Sequence, residues 1–396
     1  MHKGSGPAIT GGKGNAMRKV AIVGAAMCRF GRYPEKSIQD LGWPVVKAAV
    51  NDAGLAPRDI QAAYAGSAYG GRLVGQRVLR PLGMLGLPVV NCENACSSGG
   101  TAFREAWHAI AQGQWDAALV IGIDKLTALG GGVLPGQPDD WDVNVGLTMP
   151  ALYAMRAGRY MHEHGHTAAD LAKVAVKAHK HGALNPYAQY QNEVTLEQIA
   201  AARPVAEPFT LLHCCPTGDG AAALVLVSED KVRAMGHVAP VWVAASELNS
   251  GRYKTGFRDM TIPEITMRGA EEIWRMSGMG PDDIDVAEVH DAFTIAELLY
   301  YEAFGFCKSG EAVALLDSGA TSLGGRIPVN PSGGLLCKGH PVGATGAAQL
   351  VELTWQLRGQ AGKRQVEGAK TALAHCTGGG IAGLDHGACS INILTR

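Results

Sequence analysis

The sequence lacks the features that define several protein classes. It has no Cys-x-x-Cys pair and an odd number of cysteines, nine, so neither a disulfide framework nor a zinc knuckle is predicted. No apolar run approaches the roughly 20 residues that cross a bilayer. Its 35 Lys and Arg nearly balance its 36 Asp and Glu, which leaves no basic surface for nucleic acid. We therefore predict a cytoplasmic protein with no membrane span and no nucleic-acid partner.

The composition is that of a folded protein with more than one packed unit. Apolar residues make up 47% of the 396 residues and charged residues 18%, and one hydrophobic core rarely serves a chain of this length. Residues 1–17 are rich in glycine and lack the apolar centre of a signal peptide. We interpret them as a flexible leader or tag.

Short apolar runs alternate with helical patterns, which predicts a layered α/β core. Residues 98–112 carry one apolar stripe, whereas 346–357 are apolar on nearly all sides, as expected for a buried helix. The runs expected to form strands are 20–23, 118–123, 221–227, 241–245, 286–289, 371–374 and 390–394.

A weak internal repeat predicts two similar halves. Each half has a starting strand, a glycine-flanked helix start after an asparagine, and a closing strand after a glycine cluster. The first half is predicted to comprise 18–125 and 209–236, and the second 237–396. Between them, 126–208 contains turn residues and polar helical patterns, so we interpret it as an inserted loop domain that contacts the substrate and coenzyme.

Cys96 is the first candidate for chemistry. It stands in NCENACSSGG, directly before the two serines and two glycines that open the predicted helix at 98–112. Backbone N–H groups at a helix start stabilise a thiolate, which is the attacking form of cysteine, and they also bind an oxyanion. A structural cysteine fits the same local pattern.

Three further segments place reactive side chains at turns. GHPVGATG sets His340 before the buried helix, HCTGGGIAG places Cys376 after a strand, and VHDAFT puts His290 and Asp291 at the carboxyl end of another strand. An imidazole beside a cysteine can remove its proton, and a second thiol can act as acid and base. Taken singly, each has an equally good structural explanation: His340 as a turn cap, Cys376 as a buried cysteine, and His290 with Asp291 as a helix cap.

Together these segments resemble the signature blocks of the thiolase superfamily, in the same order and at similar spacing. The blocks are NACSSG, HDAF, GHPVGATG and CTGGG. HDAF is most similar to the branch of sterol-carrier-protein-2-type thiolases and acetyl-CoA acetyltransferases. It departs from that branch because Ala292 stands where relatives place a catalytic cysteine, whereas Cys376 is kept. The resemblance implies a thiolase-like fold of two layered α/β halves, ordered αβαβα, with an inserted loop domain.

The resemblance also implies a role for each residue. Cys96 would be acylated, His340 would activate it and line an oxyanion hole, His290 would help hold a polar partner there, and Cys376 would move the proton. Backbone N–H groups of Cys96 and Gly378 would form a second oxyanion hole. The implied reaction is cleavage or Claisen formation of a 3-oxoacyl-CoA with ping-pong kinetics.

Several alternatives and partners stay open. A retro-aldolase acting on a hydroxyacyl-CoA, and a non-catalytic lipid-binding or scaffold subunit, are the competing interpretations; retention of Cys96 and Cys376 disfavours both. Coenzyme A is expected as a co-substrate with no permanently bound cofactor, and its binding residues are not predicted. The resemblance further implies a homodimer or dimer of dimers and a small zinc-ribbon and OB-fold partner. No metal site is predicted, because the HEHGH segment at 162–166 matches no usual ligand spacing.

Overall fold

The apolar runs form seven of the nine strands of one mixed sheet. The computed structural model describes residues 17–236, 239–253, 255–380 and 385–396, so the predicted leader, except Met17, lies outside them. All seven predicted strands are present, most of them longer than predicted. The strands are β1 Val20–Met27, β2 Ala62–Gly66, β3 Val89–Cys92, β4 Ala117–Lys125, β5 Pro204–Ala206, β6 Phe209–Thr210, β7 Asp219–Ser228, β8 Val241–Ser250, β9 Val286–Glu288, β10 Thr371–Gly378 and β11 Ala388–Thr395.

The sheet consists of two similar parts joined between β1 and β8. Its strand order is β3-β2-β4-β7-β1-β8-β11-β10-β9, with β5 and β6 as a separate pair. In the first part, β1 pairs antiparallel with β7, β7 pairs antiparallel with β4, and β4 pairs parallel with β2. In the second part, β8, β11, β10 and β9 repeat this pattern in the same order. Only two residues of β1 pair with β8. The duplicated strand pattern explains the internal repeat in the sequence.

Helices cover both faces of each part. Those predicted at 98–112 and 346–357 are α3 and α13, and the polar helical patterns predicted within 126–208 correspond to α6 and α7. The helices are α1 Ile38–Asp52, α2 Val74–Leu79, α3 Ser98–Ala111, α4 Trp141–Asn144, α5 Met149–His164, α6 Ala168–Gly182, α7 Leu196–Ala201, α8 Glu229–Met235, α9 Glu264–Ser277, α10 Thr294–Ala303, α11 Ala312–Asp317, α12 Gly334–Lys338 and α13 Thr345–Arg358.

Alternation along the buried strands separates the core into layers. In β7, Leu224 and Leu226 pack in the cluster of α3 and α13, whereas Val225 and Val227 pack in the cluster of α1 on the opposite face. Strand β10 repeats this arrangement in the second half, where Leu373 faces the cluster of α9 and α10. Successive strand residues point to opposite faces of the sheet. The layers therefore follow in the order outer helices, first part of the sheet, central helices, second part of the sheet, outer helices.

Helix α13 lies in the central layer, as its apolar sequence predicted. Of its residues, Trp355 and Arg358 are partly exposed and the rest are buried. No helix in the described part of the chain combines the length and apolar character needed to cross a membrane. The segment at 126–208 contains α4 to α7. The limits of this inserted domain stay a prediction.

Candidate active site

Cys96 occupies a strained turn between β3 and α3. The residue before it, Ala95, has a φ of 48°, in the left-handed region that a residue with a Cβ rarely adopts. Two backbone hydrogen bonds close the turn, from Ser97 N–H to the Asn94 carbonyl at 3.0 Å and from Ser98 N–H to the Ala95 carbonyl at 3.1 Å. The Cys96 side chain is half-buried, next to the buried Ser97 and Ser98.

His340 lies beside Cys96 in the orientation that proton removal requires. The distance from Cys96 Sγ to His340 Nε2 is 3.3 Å, and His340 Nδ1 lies 2.7 Å from Thr345 Oγ1. Because the Thr345 hydroxyl donates to the Pro341 carbonyl at 3.1 Å, its oxygen accepts from Nδ1–H. This assigns the free lone pair to Nε2, facing the thiol. Sequence reasoning missed Thr345, although it stands in the GHPVGATG block.

Cys376 and His290 complete the group. Cys376 Sγ donates to the Cys96 carbonyl at 3.0 Å and lies 3.2 Å from His290 Nδ1. The rings of His290 and His340 meet edge to face, with centroids 5.1 Å apart. The expectation that Cys376 follows its strand was wrong, because β10 continues to Gly378, which pairs with Ala388 of β11. The structure thus brings all four predicted side chains together.

Burial favours the uncharged forms of these four side chains. It raises the pKa of Cys96 to about 12, against the opposite effect of the Gly379 backbone N–H, and it lowers the pKa of His340 to about 3. Burial likewise raises the pKa of Cys376 well above its ordinary value and, with His340 and other histidines nearby, lowers that of His290 well below it. The thiolate expected from the helix start is therefore disfavoured at rest, because desolvation outweighs the backbone N–H groups.

The glycine loop after Cys376 lies directly against the nucleophile turn. A Cβ on Gly378 would lie 2.1 Å from the Asn94 carbonyl oxygen and 2.8 Å from the Ser97 nitrogen, so this position accepts only glycine. The next N–H, of Gly379, lies close enough to lower the pKa of the Cys96 thiol. The oxyanion-hole role of Gly378 stays a prediction. Residues 381–383 of the predicted loop lie outside the described residues.

A second polar network, which the sequence did not indicate, ties this loop to α5 of the inserted segment. The Tyr153 hydroxyl lies 2.8 Å from His386 Nε2, and His386 Nδ1 donates to the Gly379 carbonyl at 2.6 Å. Next to it, Arg156 and Asp385 form a buried ion pair. The inserted segment therefore holds the glycine loop that lies against the nucleophile turn.

Among the described residues, one group has three or more potential metal ligands close enough to share an ion. It consists of Cys96, His290 and His340, with one ligand atom of each within 4.8 Å of the others. The histidines of HEHGH at 162–166 form no such group with other described residues.

The chain matches the models of both thiolase domains. The thiolase N-terminal domain covers residues 20–230, and the thiolase C-terminal domain-like family covers 247–385. Benzoylsuccinyl-CoA thiolase subunit BbsB of Thauera aromatica is 42% identical over 92% of this chain and 95% of its own length. Acetyl-CoA acetyltransferase of Methanothermobacter thermautotrophicus is 39% identical over 96% of this chain and 100% of its own length.

Two further comparisons agree. Sterol carrier protein 2 of Homo sapiens is 37% identical over 92% of this chain and 71% of its own length. The solved structure of an Ltp2-ChsH2(DUF35) aldolase is similar with a TM-score of 0.83 and 29% identity, covering 96% of this chain and 99% of that one. The predicted superfamily, branch and layered fold are confirmed. The chain belongs to the thiolase superfamily.

Proposed function

We propose that the protein is a CoA-dependent C-acyltransferase that cleaves or forms a 3-oxoacyl-CoA through an acyl-Cys96 intermediate. The observation that carries this proposal is the 3.3 Å contact between Cys96 Sγ and His340 Nε2, with a second thiol, Cys376, hydrogen-bonded to the Cys96 backbone. A nucleophile, its base and a separate proton carrier are the groups that two-step acyl transfer at a carbon centre needs.

In the cleavage direction, His340 takes the Cys96 proton and the thiolate adds to the 3-keto carbon. The bond between C2 and C3 breaks, its electron pair stays on C2 as the enolate of the CoA thioester that keeps C1 and C2, and Cys376 protonates that enolate while the shortened acyl group remains on Cys96. Coenzyme A then takes the acyl group from Cys96. Since burial raises the pKa of Cys96 and lowers that of His340, we expect the proton to move from thiol to imidazole as the substrate binds.

Oxyanion stabilisation uses groups on both sides of the sulfur. One oxyanion hole is proposed to consist of His340 and a polar partner held by His290, and it would bind the oxygen of one thioester. The second is proposed to consist of the backbone N–H groups of Cys96 and Gly378, and it would bind the thioester oxygen of the acyl-enzyme. In the synthetic direction the same groups act in reverse, with Cys376 removing the α-proton of one acyl-CoA and the enolate attacking acyl-Cys96.

A retro-aldolase is the second candidate, because the similar Ltp2-ChsH2(DUF35) structure is that of an aldolase. Aldol cleavage of a 3-hydroxyacyl-CoA needs a base for the hydroxyl proton and no acyl-enzyme. The pairing of Cys96 with His340 at hydrogen-bond distance favours the acyltransferase.

Substrate and partners are proposed from the relatives. A 3-oxoacyl-CoA with an aromatic acyl group is the first substrate to test, since the relative in Thauera aromatica acts as a benzoylsuccinyl-CoA thiolase subunit; acetoacetyl-CoA is the second. The DUF35 partner of the aldolase supports a small zinc-ribbon and OB-fold partner for this chain. We further propose a homodimer or dimer of dimers in the cytoplasm.

The test is the intact mass of the protein after brief incubation with each CoA thioester, with thiolysis followed in parallel. We expect one acyl adduct per chain, located on Cys96 by peptide mapping. Cys96→Ala is expected to lose adduct and thiolysis, whereas Cys376→Ala should still be acylated but should lose exchange of the α-proton with solvent. Cys92→Ser, a change at another half-buried thiol, is the matched control and should behave as the wild type.

The two candidates give opposite results with a 3-hydroxyacyl-CoA. Cleavage by Cys96→Ala at the wild-type rate would establish the aldolase instead. Absence of any adduct across a panel of aliphatic, steroid-derived and aromatic thioesters would remove the acyltransferase.

A further inference from the structure

Three metal-binding atoms converge at the nucleophile. One ligand atom each of Cys96, His290 and His340 lies within 4.8 Å of the other two. The 3.3 Å between Cys96 Sγ and His340 Nε2 is close to the roughly 3.5 Å that separates a sulfur and a nitrogen ligand on tetrahedral zinc, given Zn–S and Zn–N bonds of about 2.3 and 2.0–2.1 Å. Thiolate and imidazole are the ligands of Zn²⁺, Cd²⁺ and Co²⁺, not of Mg²⁺ or Ca²⁺.

Outer hydrogen bonds leave each of the two imidazoles with one unprotonated nitrogen. Thr345 accepts from His340 Nδ1–H, so Nε2 presents its lone pair. The Cys376 thiol gives its proton to the Cys96 carbonyl, so its sulfur accepts from His290 Nδ1–H and His290 Nε2 is the nitrogen left with a lone pair. A metal-binding histidine usually donates its other N–H to such a partner, which fixes the ring and its tautomer.

The surroundings suit an ion that competes with substrate. Both imidazoles are almost fully buried, whereas Cys96 is half-buried and has one exposed side. Three protein ligands leave the fourth position of a tetrahedral ion open on that side. The ion would lie between the imidazoles, where the proposed reaction develops negative charge on oxygen.

We propose that Cys96, His290 and His340 form a binding site for one thiophilic divalent cation of the Zn²⁺ class, and that its occupancy reversibly blocks acylation of Cys96. On binding, the metal–sulfur bond replaces the S–H bond and the proton passes to the buffer. The site departs from the sequence prediction of no metal. Its inhibitory effect rests on the proposed function, whereas metal binding does not.

Binding is tested with Cd²⁺ alone, titrated into full-length protein that has been treated with a chelator and dialysed. We expect a thiolate-to-cadmium ultraviolet band that saturates at one ion per chain. Cys96→Ala should abolish the band, and Cys92→Ser should leave it unchanged. His290→Asn keeps a polar amide but removes the imidazole ligand, so the dissociation constant should rise by more than the roughly 10–100-fold typical for loss of an outer partner.

Inhibition is tested separately with Zn²⁺. Adding it before the acyl-CoA should suppress the adduct, EDTA should restore it, and enzyme already acylated on Cys96 should bind no Cd²⁺. A cadmium band that persists in Cys96→Ala would overturn the site. So would a His290→Asn variant that is folded by circular dichroism and binds Cd²⁺ as tightly as the wild type. Saturable Cd²⁺ binding without any acyl adduct would refute the proposed function and leave the metal site standing.

Discussion

At the scale of single residues, Thr345 decides which nitrogen of His340 faces the nucleophile. Its hydroxyl oxygen accepts from Nδ1 at 2.7 Å while its own proton goes to Pro341. In Thr345→Val the buried N–H loses its acceptor, at a cost of about 1–3 kcal/mol. Because the lost hydrogen bond is the one that orients His340, we expect the acylation rate of Cys96 to fall about 10–100-fold with little change in KM. Stopped-flow release of product measures this rate.

Thr345→Ser is the matched control, because it keeps the hydroxyl and removes one methyl group. It should acylate within a few-fold of the wild type. If Thr345→Val acylates as fast as Thr345→Ser, the hydroxyl does not orient the base.

The residues that carry chemistry were predictable as a set only through motifs. Cys96, His290, His340 and Cys376 are up to 280 positions apart, and no local pattern states that they meet. The accessory residues Tyr153 and His386 were missed because each contacts the site through a long-range hydrogen bond to another buried group. Similarly, the protonation state of Cys96 follows from burial, which the helix-start pattern alone does not reveal.

At the scale of elements, the close contact of α3 and α13 sets the distance between nucleophile and base. Cys96 precedes α3 and His340 precedes α13, and a Cβ on Gly346 would lie 2.6 Å from the Gly100 nitrogen. Gly346→Ala must therefore push the helices apart. We expect the free energy of unfolding to fall by about 1–3 kcal/mol. Acylation should fall at least tenfold, because displacement by about 1 Å can cost a factor of 10².

Gly158→Ala makes the same chemical change in α5, where nothing lies within 4 Å of the added Cβ. This control should raise the unfolding free energy by about 0.5–1 kcal/mol and leave acylation unchanged. Urea unfolding and the mass-spectrometric acylation assay measure both effects. An unchanged urea midpoint in Gly346→Ala would show that the two helices tolerate the side chain.

Elements were predictable where the apolar pattern was continuous. The seven predicted strands and α13 are examples, because burial on both sides leaves little choice of polar residues. Strands β2 and β3 of the main sheet were missed. Strand β2 is buried, but it is short and made mostly of alanine and glycine. Strand β3 is only four residues long and half-exposed at the sheet edge, and so lacks a continuous apolar run. The second half of β8 was missed because Ser246, Glu247 and Asn249 interrupt its apolar pattern, although the strand continues through its pairing with β11.

At the scale of the whole molecule, β3 forms one end of the nine-stranded sheet. An edge strand offers unpaired backbone groups to another chain. Val90 on this strand is 45% exposed, and Leu85 in the preceding turn is 60% exposed. A second copy pairing with β3 about a two-fold axis would cover both, which fits the predicted homodimer.

A two-fold interface contains each residue twice, so one substitution there introduces two copies of the new side chain. Val90→Lys would bring two ammonium groups into one interface, desolvated and of like charge. Sedimentation velocity should find the wild type at twice the chain mass of 41.4 kDa and Val90→Lys at the single mass. Val133→Lys introduces the same charge at a 53%-exposed valine outside the sheet and should stay dimeric. A dimer that survives Val90→Lys but dissociates in Val133→Lys would place the interface on the inserted segment instead.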